Sequence, residues 1–394
     1  MASLQTDVLI VGGGLAGLSL AWHCQQRGID YQLIEARARL GGRVMSCAVT
    51  RASHTANMFQ MSQVSQTSQM PQTSHFDLGP SWFWPGQPRI ARLVSQLNLQ
   101  AFDQFSHGAT AVEDERGRVL RNRADASMQG AFRVAGGMGS LIEGLRSRLD
   151  ASRIALCRSA LKIVRRGERL VTTVGTNPSP THLPTQFIDS RHVALAVPPR
   201  VIAHSIDLSE IATDHALAAL RAIPTWMAAQ AKVVAVYEQA FWREAGWSGD
   251  AMSRSGPMVE IHDASPPEGA TDALYGLFGF VGVPAAARSG QSEALLSQAR
   301  QQLARLFGDA ALHPVKMLLQ DWAEEAHTTT ALDFTALAQH PAYGLPTALA
   351  GLADGQLLLA SSEVASDFGG YLEGALCAPE AALCQMLLKS NATK

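Results

Sequence analysis

Apolar runs and glycine breaks alternate along the chain. The first run, Asp7-Val8-Leu9-Ile10-Val11, is short and rich in β-branched residues. An unbroken run of this kind reads as a strand buried on both faces of a parallel sheet. Gly12-Gly13-Gly14-Leu15-Ala16-Gly17 interrupts it at once, and apolar positions over 18–26 then recur with helical spacing. A second run, Tyr31-Gln32-Leu33-Ile34, ends in Glu35. Helical spacing returns over 88–98, where Ile90, Leu93, Val94 and Leu97 share one face, and over 141–149 and 293–307. Strands are expected over 154–174, around an Arg165-Arg166-Gly167-Glu168 turn, and over 192–197, 231–237 and 357–360. A final helix follows Gly374.

The opening segment carries chemistry. Strand, GxGxxG turn and helix stand in the order a dinucleotide-binding turn requires. Gly12 permits the tight turn, Gly14 lets backbone approach a pyrophosphate, and Gly17 lets helix and strand pack closely. The phosphates then meet the helix N-terminus at Leu15 and Ala16, where free N–H groups favour anions. Glu35, eighteen residues beyond Gly17, is placed to accept the hydroxyls of an adenosine ribose. The chain therefore opens as a Rossmann-like α/β domain.

Arg39-Leu40-Gly41-Gly42-Arg43 follows closely and sets a cation and bare backbone beside the same pyrophosphate. A nicotinamide dehydrogenase has no need of that feature. The stretch from Glu35-Ala36-Arg37 to Gly41-Gly42-Arg43 resembles the flavin-containing amine oxidases, in which it binds FAD. The resemblance extends to Asp77-Leu78-Gly79-Pro80-Ser81, to Ser361-Ser362-Glu363, and to Gly370-Tyr371-Leu372-Glu373-Gly374-Ala375 before the last helix. It implies that Gly79, Pro80, Ser81, Ser362, Glu363, Tyr371 and Leu372 also face the cofactor. It further implies a Rossmann-like FAD-binding domain interleaved with an α+β substrate domain of mixed sheet plus helices. The FAD domain would comprise 1–85, 130–205 and 345–394, and the substrate domain 86–129 and 206–344.

Composition narrows the remaining choices. A chain of 394 residues, 47% apolar, can build two domains with real cores. A net charge of −2 gives no reason to expect nucleic acid or an anionic membrane as partner. Five cysteines without CxxC or zinc spacing read as reduced thiols of a cytoplasmic protein and predict no metal site. The first apolar run lacks a basic leader, no stretch nears eighteen apolar residues, and the chain ends at Lys394 without a hydrophobic tail, so no membrane partner is expected. The sequence leaves open whether the chain forms a homo-oligomer. Residues 52–74 are Ser, Gln, Thr, Met and Asn with almost no charge, a composition that reads as a mobile insertion.

Amine oxidation needs an uncharged amine, since a protonated nitrogen cannot assist loss of hydride. A dry aromatic site favours that form, because burying an unpaired ammonium is costly. In the family two rings stand before the flavin. The motif match gives Tyr371 as one of them, and Trp322 in Asp321-Trp322-Ala323-Glu324 as a ring close to the flavin. Trp84, in the run Trp82-Phe83-Trp84, is expected at the cavity. Counting on from Trp322, Ala331 falls where some members carry a flavin-linked cysteine, so non-covalent FAD is expected. Leu332 falls where the second ring is expected, which leaves that wall to be rebuilt from Tyr343 or a tryptophan. The flavin-linked lysine of the family is sought after the Phe241-Trp242 pair, where this chain has Arg243; Lys232 lies in a strand and is not given the role. The leading reading is an FAD-dependent oxidase of a small-molecule amine. The alternatives are an FAD-dependent dehydrogenase or desaturase of another small intermediate, and a flavoprotein acting with a partner protein.

Overall fold

A computed structural model describes residues 4–51, 73–122, 128–176, 186–270, 273–335, 337 and 339–392. The first apolar run extends back to a strand Leu4–Val11, flanked in parallel by Tyr31–Ile34 and Gln186–Leu195. Val11 stands opposite both Ile34 and Leu195, so the three strands end level, where the glycine turn begins. Ligands of open α/β sheets bind beyond such carboxyl ends. Ile154–Ala155 extends the sheet beyond Tyr31–Ile34, and Leu357–Leu359 pairs with residues 193–195. The hairpin Arg158–Arg166 and Arg169–Thr176 supplies an antiparallel edge around the expected turn. Helices Leu15–Gln26, Gly139–Arg146 and Leu372–Ala392 cover one face, over a core of Val8, Ile10, Leu18, Leu141 and Leu376.

A second seven-stranded sheet runs in the order Lys316–Asp321, Ala231–Tyr237, Tyr275–Val281, Met258–Asp263, Trp247–Ser253, Ala109–Glu113 and Val119–Asn122. One pair, Trp247–Ser253 with Ala109–Glu113, is parallel and the others are antiparallel. Its two faces differ. One packs on helix Ser292–Phe307 through Val233, Ala235 and Leu303. The other carries Val234, Val236 and Phe278, which meet Phe76, Leu78 and Trp82. The expected interleaving of a Rossmann-like sheet with a mixed-sheet domain is the architecture observed.

Three boundaries differ from expectation. Helix Pro88–Gln96 stops short because Asn98 adopts a left-handed φ of 57°. That helix, assigned on sequence to the substrate domain, buries Ile90, Leu93 and Val94 in the same core as Val8 and Ile10. Thr73 and Ser74, read as the end of the polar insertion, belong to a strand Thr73–Asp77 paired with Ser46–Thr50. Ser74 is held there because its buried hydroxyl accepts from the Leu274 N–H at 2.9 Å. The rest of the insertion, 52–72, lies outside the described residues.

Candidate active site

The glycine turn is closed from behind. Gly12 has a φ of 106°, and a Cβ on Gly17 would lie 1.9 Å from the Gly12 carbonyl oxygen. Helix Leu15–Gln26 starts at Gly14 with no side-chain cap and no acid in its first turn. The second glycine pair packs on the first. The Gly41 N–H donates to Gly13 O at 2.8 Å, and a Cβ on Gly42 would stand 3.2 Å from Gly14 Cα. Buried Glu35 accepts from the Gly13 N–H at 2.7 Å and from the Arg37 N–H at 2.8 Å. Arg37 reaches on to Glu325 and Thr328, at 2.9 and 2.8 Å, with Ala36 between it and Glu35. Arg39 donates to Gly42 O, while its buried Nη2 has no partner among the described residues.

A second group of segments converges beside this cradle. Arg43 donates to fully buried Glu363 at 2.6 Å and to the Ser362 hydroxyl at 3.1 Å. A Cβ on Gly79 would lie 2.0 Å from Arg43 O, so Gly79-Pro80-Ser81 runs hard against it. The buried Trp322 donates its indole N–H to Leu78 O at 3.0 Å. Lys232, 2% exposed, donates to Gly79 O at 3.1 Å and to the Ser81 hydroxyl at 2.6 Å. Its Nζ stands 3.8 Å from the centre of the Phe278 ring. Burial pushes its pKa down to about 7, because desolvation penalises the charged form. Lys232 therefore enters the site from the substrate-domain sheet, whereas the sequence position after Trp242 does not. Arg243 is turned away onto Asp263, at 2.8 and 2.9 Å.

The aromatic wall is assembled around Tyr371. This residue follows Gly369-Gly370 and precedes buried Leu372 at the head of the last helix. Trp84 meets its ring edge-on at 6.5 Å. The ring stacked on Tyr371 is His340, with centroids 4.9 Å apart and planes 21° apart. His340 Nε2 lies 3.0 Å from Gly369 O, and Trp226 meets the imidazole edge-on at 4.9 Å. Tyr343, offered on sequence as a replacement ring, packs instead against Gly369 and Gly370 and donates its hydroxyl to Pro224 O at 2.9 Å. It is braced by that bond, and its ring reaches His340 edge-on at 5.4 Å. Leu332 is 55% exposed and contributes no wall.

The fit to a flavin dinucleotide is good on structural grounds. An uncapped helix end, two stacked glycine turns and the unpartnered Arg39 nitrogen suit a pyrophosphate. Lys232 was set aside because it lies in a strand; a lysine inside the apolar run Ala231-Lys232-Val233-Val234-Ala235-Val236 is the signal that marks it. His340 had no comparable signal, since its place depends on a stretch without regular structure.

Comparison with known proteins shows the family and the fold. Residues 120–378 match the family described as flavin containing amine oxidoreductase, and residues 10–97 match the NAD(P)-binding Rossmann-like domain. The chain belongs to the flavin-containing amine oxidoreductase family. It is 22% identical to a probable flavin-containing monoamine oxidase A of Dictyostelium discoideum, over 94% of this chain and 95% of that one. Its fold is similar to that of a putrescine oxidase variant, with a TM-score of 0.74, 18% identity, and 98% and 100% of the two chains covered. It is similar also to cyclohexylamine oxidase of Brevibacterium oxydans IH-35A, with a TM-score of 0.73, 16% identity, and coverage of 98% and 99%. As a member of this family the chain is an FAD-dependent oxidoreductase acting on an amine. No helix among the described residues is long and apolar enough to cross a membrane.

Proposed function

We propose that Lys232, Trp322, Trp84, Tyr371 and His340 together form the chamber in which a primary amine is oxidised to an imine, beside a non-covalently held FAD. The observation that carries this is the meeting of a desolvated amine, Lys232 Nζ, with the Gly79-Pro80-Ser81 segment and the Trp322 indole. Flavin, when bound, accepts a hydride equivalent from the carbon next to the substrate nitrogen. The glycine turns, Glu35, Arg37, Arg39, Arg43 and Glu363 would hold the dinucleotide. Ser362 would support Arg43.

The chain's own groups prepare the substrate. The rings of Trp84, Tyr371 and His340 set an apolar surface against the substrate and so favour the uncharged amine. With its pKa near 7, Lys232 Nζ can take or give a proton at neutral pH, and its bonds to Gly79 O and Ser81 Oγ fix where that proton sits. Ala331 offers no thiol for a covalent link. We place the enzyme in the cytoplasm, in keeping with cysteines that are all free.

Anaerobic mixing with a panel of primary amines should bleach the flavin absorbance. Tyr371→Ala should slow this reduction by roughly 10–100-fold, as expected for a misplaced reactant, and Tyr371→Phe should keep most of the rate. Acid precipitation should leave FAD in the supernatant. A Tyr371→Ala enzyme reduced at the normal rate would overturn the chamber.

A further inference from the structure

The ring stacked on Tyr371 carries a nitrogen that the wall itself does not use. His340 Nε2 lies 3.0 Å from the Gly369 carbonyl oxygen. A carbonyl oxygen only accepts, so Nε2 holds the proton and donates it there. In the neutral ring Nδ1 then keeps its lone pair. Nδ1 has no hydrogen-bond partner among the described residues. The imidazole is nonetheless fixed in place. Tyr371 stacks on it at 4.9 Å, Trp226 meets it edge-on at 4.9 Å, and Tyr343 meets it edge-on at 5.4 Å. A free basic nitrogen is thus held at a set angle beside the ring that faces the substrate.

The surroundings leave that nitrogen available. Tyr343 and Tyr371 are the titratable groups that face the imidazole, and Trp226 and Gly370 carry no charge. The Tyr343 hydroxyl donates to Pro224 O, and burial, helped by Glu363, raises its pKa, so it stays protonated. The charged groups nearest Tyr343 are engaged elsewhere: Glu363 with Arg43 at 2.6 Å, and Asp333 with Arg200 at 2.7 Å. Tyr371 is 36% exposed, so the stack is open to solvent. The chemistry of the substrate supplies the need. An alkylammonium loses its proton near the lysine value of ~10.4, so at pH 7 fewer than about one amine in 1,000 is uncharged. An apolar wall lowers the pKa of a bound ammonium, but it cannot take the proton away.

We propose that His340 is a catalytic residue, the general base that takes the proton from the substrate ammonium before oxidation. One N–H bond of the ammonium breaks, and its electron pair stays on the substrate nitrogen. The proton forms a bond to Nδ1. The imidazolium, with Nε2 still donating to Gly369 O, hands a proton on to solvent and returns to its neutral form. The amine is left uncharged, with the lone pair that assists loss of hydride. Lys232, held on Gly79 O and the Ser81 hydroxyl, takes no part in this transfer. The inference rests on the amine-oxidising reading of the same chamber.

The experiment follows anaerobic flavin reduction in the holoenzyme by an alkylamine that bleaches it, as a function of pH. In wild type the second-order rate constant should rise and level off well below the pKa of the amine, because the ammonium is itself a usable form. His340→Phe keeps a ring to stack on Tyr371 but has no nitrogen. Its rate constant should keep climbing by about 10-fold per pH unit toward ~10.4, where free amine becomes abundant. It should trail wild type by roughly 100-fold at pH 8, the scale of a lost general base, and by less than ~10-fold at pH 10. His340→Ala leaves room for a small base, and added imidazole should restore its rate at pH 8 in proportion to the unprotonated imidazole present. Lys232→Met should keep the early plateau whatever its absolute rate. A His340→Phe profile parallel to wild type, an alanine variant that imidazole does not rescue, or a plateau lost with Lys232 rather than His340 would each overturn the base while leaving the amine-oxidising reading in place. A wild-type flavin that no amine bleaches would remove that reading and the base together.

Discussion

Lys232 shows what a single residue can reveal about a site. It stands in a strand whose other members are Ala, Val and Tyr, where a lysine makes sense only if something justifies burying it. Its two hydrogen bonds and the Phe278 ring recover part of the desolvation cost, yet burial still brings its pKa to about 7. The unfolded chain holds that proton up to the ordinary lysine range, so between the two values folding releases it. Stability should therefore rise with pH from about 7 upward, and the penalty should be fully present below that. Lys232→Met removes the penalty. Its melting temperature should exceed that of wild type by more at pH 7 than at pH 9.5, as measured by calorimetry in both buffers. An equal difference at the two pH values would mean that the buried amine is not neutralised on folding. Glu35 is the complementary case. Its spacing marks it as a ribose acceptor, but its two bonds to backbone N–H groups, which also brace the glycine turn, depend on turn geometry that spacing does not state.

At the scale of elements, long periodic segments were readable and their mutual contacts were not. The spacing that predicts a helix over 88–98 finds Pro88–Gln96, and the motif that predicts a flavin-facing turn before the last helix finds Leu372–Ala392. Neither pattern reveals that one element caps the other. The shorter helix has no side-chain cap of its own. The carboxylate of Glu373, fully buried, accepts from the Ile90 N–H at 2.9 Å, the Arg89 N–H at 3.1 Å and Arg89 Nη1 at 3.4 Å. Such a cap across elements satisfies donors that a helix start otherwise leaves open. Glu373→Ala should cost about 1–3 kcal/mol, the range for leaving buried donors unpaired, as a lower denaturant midpoint at unchanged slope. The cage wall formed by His340 escaped prediction for a related reason. Its partner Tyr371 lies 31 residues on, across a strand and several short helical turns, and no period links them.

At the scale of the whole molecule, the polar composition of 52–74 sets an expectation that a deletion tests. Residues 52–72 leave and rejoin the described structure between Thr50 and Thr73, which pair directly, with hydroxyl oxygens 3.1 Å apart. The two ends are as close as those of a tight hairpin, so the fold imposes no length on what joins them. Replacing 51–72 by Asn-Gly, suited to a two-residue hairpin between the paired Thr50 and Thr73, should give full FAD occupancy and a melting temperature close to wild type. Flavin absorbance per chain and a thermal melt check this. Loss of bound flavin would show that the segment takes part in the cofactor site.

The strand Leu357–Leu359 has a consequence for how the protein is made. It pairs with a strand at 193–195, and the helix that covers the same sheet begins at Leu372. During synthesis the chain emerges in order, so the dinucleotide-binding sheet waits for the strand at 357–359 and the helix from Leu372 until residues far along the chain have left the ribosome. For that interval Val8, Ile10 and Leu141 lack part of their cover, and an open strand edge invites pairing with other chains. Until then the nascent chain exposes apolar surface of the kind chaperones bind, and FAD has no finished cradle before Glu363 has emerged to meet Arg43.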